Sequence, residues 1–151
     1  MAERLQLRAE DAEDLAVISS CLQDALVPLA DMRYDRAARE FIVAVNRFRW
    51  EACEAALPAD AVFERIACAV TFKDVRAVNL RGIDQNRRGR PLELLAVMVD
   101  EPEKTAGAIV LLVFAGGGRI RLELERISCT LRDFGEPWPT RWQPRHLVEQ
   151  R

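Results

Sequence analysis

The hydrophobic pattern is clearest over residues 107–131, GAIVLLVFAGGGRIRLELERISCTL. Positions 108–115 are unbroken apolar, a run too short to span a membrane. Positions 120–124 alternate, with Ile120, Leu122 and Leu124 on one face and Arg121 and Glu123 on the other. Gly116, Gly117 and Gly118 lie between, and glycine supplies the positive φ that short hairpin loops need. The pattern predicts a β-hairpin. Its first strand is expected to be covered on both faces, its second to be wet on one.

Upstream, RLQLR at 4–8 alternates and predicts a short strand. Residues 10–26 predict a helix. Asp11 suits the N-cap, and Glu13 and Asp14 complement the dipole of the first turn. Leu15, Ile18, Leu22, Ala25 and Leu26 form one apolar stripe, and Pro28 stops the helix. The rhythm then turns to β. Residues 31–34 predict a short strand, 35–39 a polar turn, and 40–51 (EFIVAVNRFRWE) a long strand. In that strand Phe41, Val43 and Val45 share a face with Arg47, Arg49 and Glu51, while Asn46, Phe48 and Trp50 lie on the other.

An Ala-rich connection is expected at 52–61, and β structure again over 63–80 with a bulge or turn at Lys73-Asp74, where the alternation slips. A loop at 82–91, a strand at 92–99 and a surface turn at 100–107 precede the hairpin. After it, 126–134 reads as β or irregular. Residues 136–151 read as a Pro- and Trp-containing tail on the surface, pinned by Trp138 and Trp142, beyond a single globular domain at 1–135. One echo stands out. Cys68, Val70, Phe72 and Val75 recur 52 positions on as Ile120, Leu122, Leu124 and Ile127, which fits two similarly built halves or coincidence. The fold class expected is α+β: an N-terminal helix packed on a mainly antiparallel β-sheet of about seven strands, barrel-like or a two-layer sandwich.

Composition narrows the function more by exclusion. The net charge of −2 gives no overall pull toward nucleic acid, and the Arg87, Arg88 and Arg90 loop does not reverse that. There are 20 Arg and two Lys. A GC-rich coding bias accounts for that excess better than selection for anion recognition does. Four scattered cysteines and one histidine form no zinc spacing, so no metal and no cofactor is expected. Cys68 and Cys129 sit in apolar runs and read as reduced thiols of a cytoplasmic protein. The N-terminal residues have no apolar core of a secretory signal.

Candidate chemistry is confined to a few polar groups. On the strand at 40–51, Arg47 and Arg49 point the same way and can clamp an anion, with Asn46 and Trp50 behind them and Glu51 at the end. The architectural alternative pairs them with Glu123 or Glu125 across neighbouring strands. Arg121, Glu123 and Glu125 form a charged row whose carboxylate spacing, about 7 Å, also occurs in acid/base pairs. Solvated β faces carry such rows routinely. Gln23 and Asp24 close the helix. Asp24 is badly placed for the dipole, which suggests a basic partner such as Arg47 or Arg49. His146 lacks a triad context, and Gly116–Gly118 lacks the phosphate-loop pattern.

The strings LRAEDAEDLAVISSCLQDALVPLADMRY, NRFRWE and GGGRIRLELERISCTLRDFGEPW, with PRH after them, resemble a family of small alphaproteobacterial proteins catalogued as domain of unknown function 2948. The resemblance runs from Leu5 to His146 and implies a cytosolic single-domain protein with no assigned activity and no catalytic residues to carry over. The expected function is a non-enzymatic binding or adaptor module for a protein partner or small anionic ligand. Its binding residues would come from Gln23, Asp24, Asn46, Arg47, Arg49, Trp50, Glu51, Arg121 and Glu123. The alternatives are a small enzyme using Glu123 or Glu125 with Arg47 or Arg49, and an assembly subunit, with a homodimer allowed and no membrane contact.

Overall fold

Asp11 starts the helix as its side chain dictates: its Oδ1 accepts from the Asp14 amide at 2.8 Å. The computed structural model of the chain describes residues 4–53, 63–86, 90–100 and 107–140. The helix α1 covers Ala12–Leu22 and buries Leu15, Ile18 and Leu22. It stops four residues short of the expected end. Asp24 takes φ 66, which turns the chain out of the helix, and its amide bonds the Leu94 carbonyl at 2.8 Å. Ala25 and Leu26 therefore belong to a strand and not to the helical stripe.

The described residues hold ten strands: β1 Gln6–Ala9, β2 Ala25–Pro28, β3 Met32–Asp35, β4 Glu40–Phe48, β5 Phe63–Phe72, β6 Val75–Arg81, β7 Pro91–Asp100, β8 Ala108–Phe114, β9 Arg119–Leu124 and β10 Cys129–Thr140. About seven were expected. The difference comes from segments such as β2, which periodicity assigned to the helix, and from Lys73-Asp74, where the turn expected as one of two alternatives separates two strands. Every pairing is antiparallel. The order is β1-β10-β5-β4-β2-β7-β8-β9-β6, with β3 beside β4, so the sheet is open rather than a closed barrel. A single core draws on α1 together with β1, β2 and β4 to β10. A flat sheet in this order cannot bring β10 and β8 into one cluster, so the sheet curls around its core.

The predicted hairpin is β8–β9. Leu112 faces Ile120, Val113 faces Arg119, and the Phe114 amide bonds the Gly118 carbonyl at 2.9 Å. Gly116 and Gly117 have φ 89 and 95. Only one face of β8 is fully covered, by Val110, Leu112 and Phe114; Ile109, Leu111 and Val113 stay half-buried. The helix packs on the inner side, and no described element covers the outer one.

The echo has a geometric cause. β5 and β6 form one bent strand, β9 and β10 another, and they pair antiparallel on both sides of a shared corner. The corner is held by Lys73 N to Ser128 O and Glu125 N to Asp74 O, both 2.9 Å, and by Arg126 Nε on Asp74 Oδ2 at 2.9 Å. A local two-fold at such a corner exchanges β5 with β9 and β6 with β10, which is the 52-residue offset from Cys68 to Ile120.

Residues 136–140, expected in the tail, continue β10: Trp138 faces Arg65 and Thr140 faces Phe63. β1 pairs β10 only as far as Arg132, so Pro137 and Pro139 fall on an edge, where a missing amide is tolerated. Trp142, His146, Arg87, Arg88, and most of the 52–61 connection and of the 100–107 turn lie outside the described residues.

Candidate functional site

Strand alternation carries Arg47 onto the face of Phe41, Val43 and Val45, and that face is the core. Arg47 is 0% exposed. Its Nε and Nη2 hold Asp133 Oδ1 and Oδ2 at 2.8 and 2.7 Å. Its Nη1 and Nη2 hold Glu51 Oε1 and Oε2 at 2.9 and 2.7 Å, and Nη1 also reaches the Phe48 carbonyl at 3.4 Å. These bonds use all five guanidinium N–H groups, four of them in two bidentate forks. Asp133 Oδ2 also accepts from the Leu5 amide at 2.8 Å, and the Asp133 amide returns a bond to the Leu5 carbonyl, so the triad ties β1 to the sheet.

Burial works to raise the pKa of Asp133 and Glu51, but the Arg47 hydrogen bonds outweigh it and hold both carboxyls below their usual range. Burial works to lower that of Arg47, and the two carboxylates raise it instead. Burial likewise pushes the Cys68 thiol up, and that of Cys21 beside the triad.

A second layer backs this triad on the outer face. Phe48 is 0% exposed although alternation turns it outward. Trp50 lies 4.7 Å and Phe63 5.8 Å from it, centroid to centroid, and the Arg65 guanidinium is 5.7 Å from its ring centre. Arg65 donates to the carbonyls of Asn46 (3.1 Å) and Asp24 (3.3 Å). Burial lowers its pKa while Asp24 and Glu93 pull it back up. Trp50 Nε1 donates to the Gln23 carbonyl at 3.0 Å, and Arg49 Nη1 pairs with Glu64. Gln23, Asp24, Asn46, Arg47, Arg49, Trp50 and Glu51 thus gather at one end of the sheet.

Two expectations are corrected. Neither Arg47 nor Arg49 pairs with Glu123 or Glu125; their partners are Asp133, Glu51 and Glu64. Asp24 is close to a basic residue, but that residue is Arg65. Sequence reasoning passed over Asp133, although a signal existed: it extends the inward series Cys129, Leu131 by one step, as Arg47 extends Phe41, Val43, Val45.

Arg121 and Glu123 lie elsewhere, on β9. Glu123 pairs with Arg121 at 3.4 Å, and Glu125 with Arg39 at 2.7 Å. Arg121 joins Arg81 and Arg119 around a shallow concavity of about 810 Å³, floored by Leu111 and bordered by Asn79, Leu80, Gly117 and Asp100. Arg119 faces Arg81 directly in the β6–β9 ladder, and Arg121 faces Asn79. Like charges opposite one another destabilise a ladder. Among the described residues neither Arg81 nor Arg119 has an acidic partner. With Arg121 paired to Glu123, the Arg81 and Arg119 guanidiniums against the Asp100 carboxylate still leave the lining positive.

Among the described residues no group of three His, Cys, Asp or Glu is placed to hold a metal ion, and no helix is long and apolar enough to cross a membrane. Fold and site together describe an α+β protein with, among the described residues, one α-helix, an open antiparallel sheet, a sealed arginine triad at one end and an arginine-lined concavity on the outer face. The family model described as protein of unknown function (DUF2948) matches residues 5–146, and the chain belongs to that family. No curated protein and no solved structure matches it.

Proposed function

We propose that the protein is a non-enzymatic binding module of the cytoplasm, and that the Arg81, Arg119 and Arg121 face receives a multiply charged anionic group. The observation that carries this reading is the direct opposition of Arg81 and Arg119 at the rim of one concavity, with no acidic partner for either among the described residues. An anion seated between them relieves the repulsion and bonds both forks. The free cysteines Cys21, Cys68 and Cys129 suit a reducing compartment, and burial pushes the Cys129 thiol up to about 12.

The enzyme reading has less support. Its proposed partners are divided between two regions, and Glu123 lies half-exposed against Arg121. Assembly through the helical stripe has no surface to use, because Leu15, Ile18 and Leu22 are buried in the core. Titration with inorganic pyrophosphate, followed by thermal shift and by amide chemical shifts, tests the proposal. Saturable shifts at Asn79, Arg81, Arg119 and Arg121 are expected, and they should disappear in an Arg119→Glu, Arg121→Glu double variant. An unchanged spectrum at those positions overturns it.

A further inference from the structure

Among the described residues β6 is an end strand of the sheet and pairs only with β9, and β3 pairs only with β4. Met32, Arg33 and Tyr34 of β3 and Val78 and Leu80 of β6 line one cleft. At one end the two strands are joined, because the Val75 amide bonds the Arg39 carbonyl at 2.9 Å and Tyr34 Oη donates to the Val75 carbonyl at 2.8 Å. This wedge, a cleft of about 170 Å³, is lined by Leu29, Met32, Phe41, Val78 and Leu80, with Arg33 and Gln85 at its lip.

We infer that this wedge is a strand-addition site, and that its occupant is an extended segment of a partner protein in which apolar and acidic residues alternate. Beyond Val75, whose N–H and C=O are already bonded, the strand edges present alternate backbone N–H and C=O groups for an added strand to satisfy. A cleft this narrow takes side chains of a strand and excludes a helix about 10 Å across. Apolar side chains of the segment enter between Val78 and Met32. The charges around them set the sign of the others: Arg81 at the far end of β6 has no acidic partner among the described residues, and Arg33 on β3, paired with Asp35 only at 3.9 Å, is 74% exposed at its side chain. Arginine on an edge strand also guards against unwanted pairing, and guarding of one sign selects partners of the opposite sign. A second copy of this chain would bring the same arginines against these.

Leu80 borders both the wedge and the Arg81, Arg119 and Arg121 concavity, so an acidic residue at the end of the added strand reaches the anion site. In that respect the inference deepens the reading proposed above and rests on it for the sign of the partner; the strand addition itself does not.

The probe is a fluorescent peptide matched to β6 in length, with alternating glutamate and valine, followed by binding anisotropy and by hydrogen exchange of the backbone amides. Saturable binding is expected, with slowed exchange at alternate amides of β6. A lysine–valine peptide, a central-proline peptide and oligoglutamate of equal length should each bind at least about tenfold more weakly. Leu80→Glu, at a side chain already partly in water, should weaken binding about as much without lowering the melting temperature. Unchanged β6 exchange under saturating peptide overturns the proposal, as does oligoglutamate binding equally well. Protection of β6 without peptide, accompanied by dimerisation in light scattering, assigns the wedge to a second copy and overturns the occupant. Pyrophosphate separates the two readings. If it binds the arginine concavity while β6 exchange never changes, the strand proposal alone fails. If β6 is protected but pyrophosphate does not bind, the anion reading alone fails.

Discussion

Arg47 and Arg119 are both strand arginines, and the molecule uses them in opposite ways. Arg47 points inward and is enclosed, with two carboxylates and a carbonyl on its five N–H groups. Arg119 points outward, faces another arginine, and keeps its donors toward solvent. A charge taken out of water must be paired inside the protein, so the enclosed site has nothing left for a ligand. An exposed guanidinium keeps its hydration and can stand unpaired at little cost. Charge density alone therefore does not mark a site; unspent hydrogen-bonding capacity in a concavity does.

The sharpest way to break this contrast is to remove one member of the enclosed triad. Asp133→Ala leaves Arg47 buried with half its partners, and the expected loss is about 3–5 kcal/mol in urea denaturation. A loss under about 1 kcal/mol, the level of a surface pair, would sink the structural assignment. Replacing Arg47 and Asp133 together by Met and Leu should recover most of that loss, because no uncompensated charge remains inside. Pyrophosphate binding at the Arg119 face should survive in any of these variants that folds.

Acid acts on the same groups. A carboxyl held below its ordinary value in the folded state contributes stability above that ordinary value, and the contribution is lost as pH falls toward the lowered one. Asp133 and Glu51 are both of this kind. The stability gap between the native chain and Asp133→Ala should therefore be constant near neutrality and shrink below about pH 4. A gap that widens on acidification would contradict the sign.

At the exposed face the expected effects on stability are small and reversed. Arg119→Glu puts opposite charges across the β6–β9 ladder and should raise stability by about 0.2–1 kcal/mol while abolishing pyrophosphate binding. Smallest of all, Glu125→Ala removes the half-exposed pair with Arg39 and should cost at most about 1 kcal/mol by thermal melting.

Local rules made several elements legible. The N-cap at Asp11, the Gly116–Gly118 hairpin, the alternation of β4 and the break at Lys73-Asp74 all depend on residues close in sequence. The helix end was misread because Ala25 and Leu26 fit a helical stripe equally well. Only the left-handed turn at Asp24 and its bond to Leu94 assign them to β2. The site was legible in part. The group from Gln23 to Glu51 does gather at one end of the sheet, but its carboxylate partners were sought on β9 and lie at Asp133, Glu51 and Glu64.

By itself the sequence determined the strand rhythm, the loops and the family, because these follow from neighbouring residues. Arg47 could be placed on the face of Phe41, Val43 and Val45 from the sequence too. Whether that face was core or water was decided by tertiary structure: the strand order β10-β5-β4 brings Asp133, 86 positions away, within 2.8 Å. Pairing of β6 with β9 set Arg81 against Arg119, and the fold placed side chains of β3 and β6 around one cleft. Strand order and closure depend on contacts distant along the chain, and the period of a single strand carries no information about which strand will lie beside it.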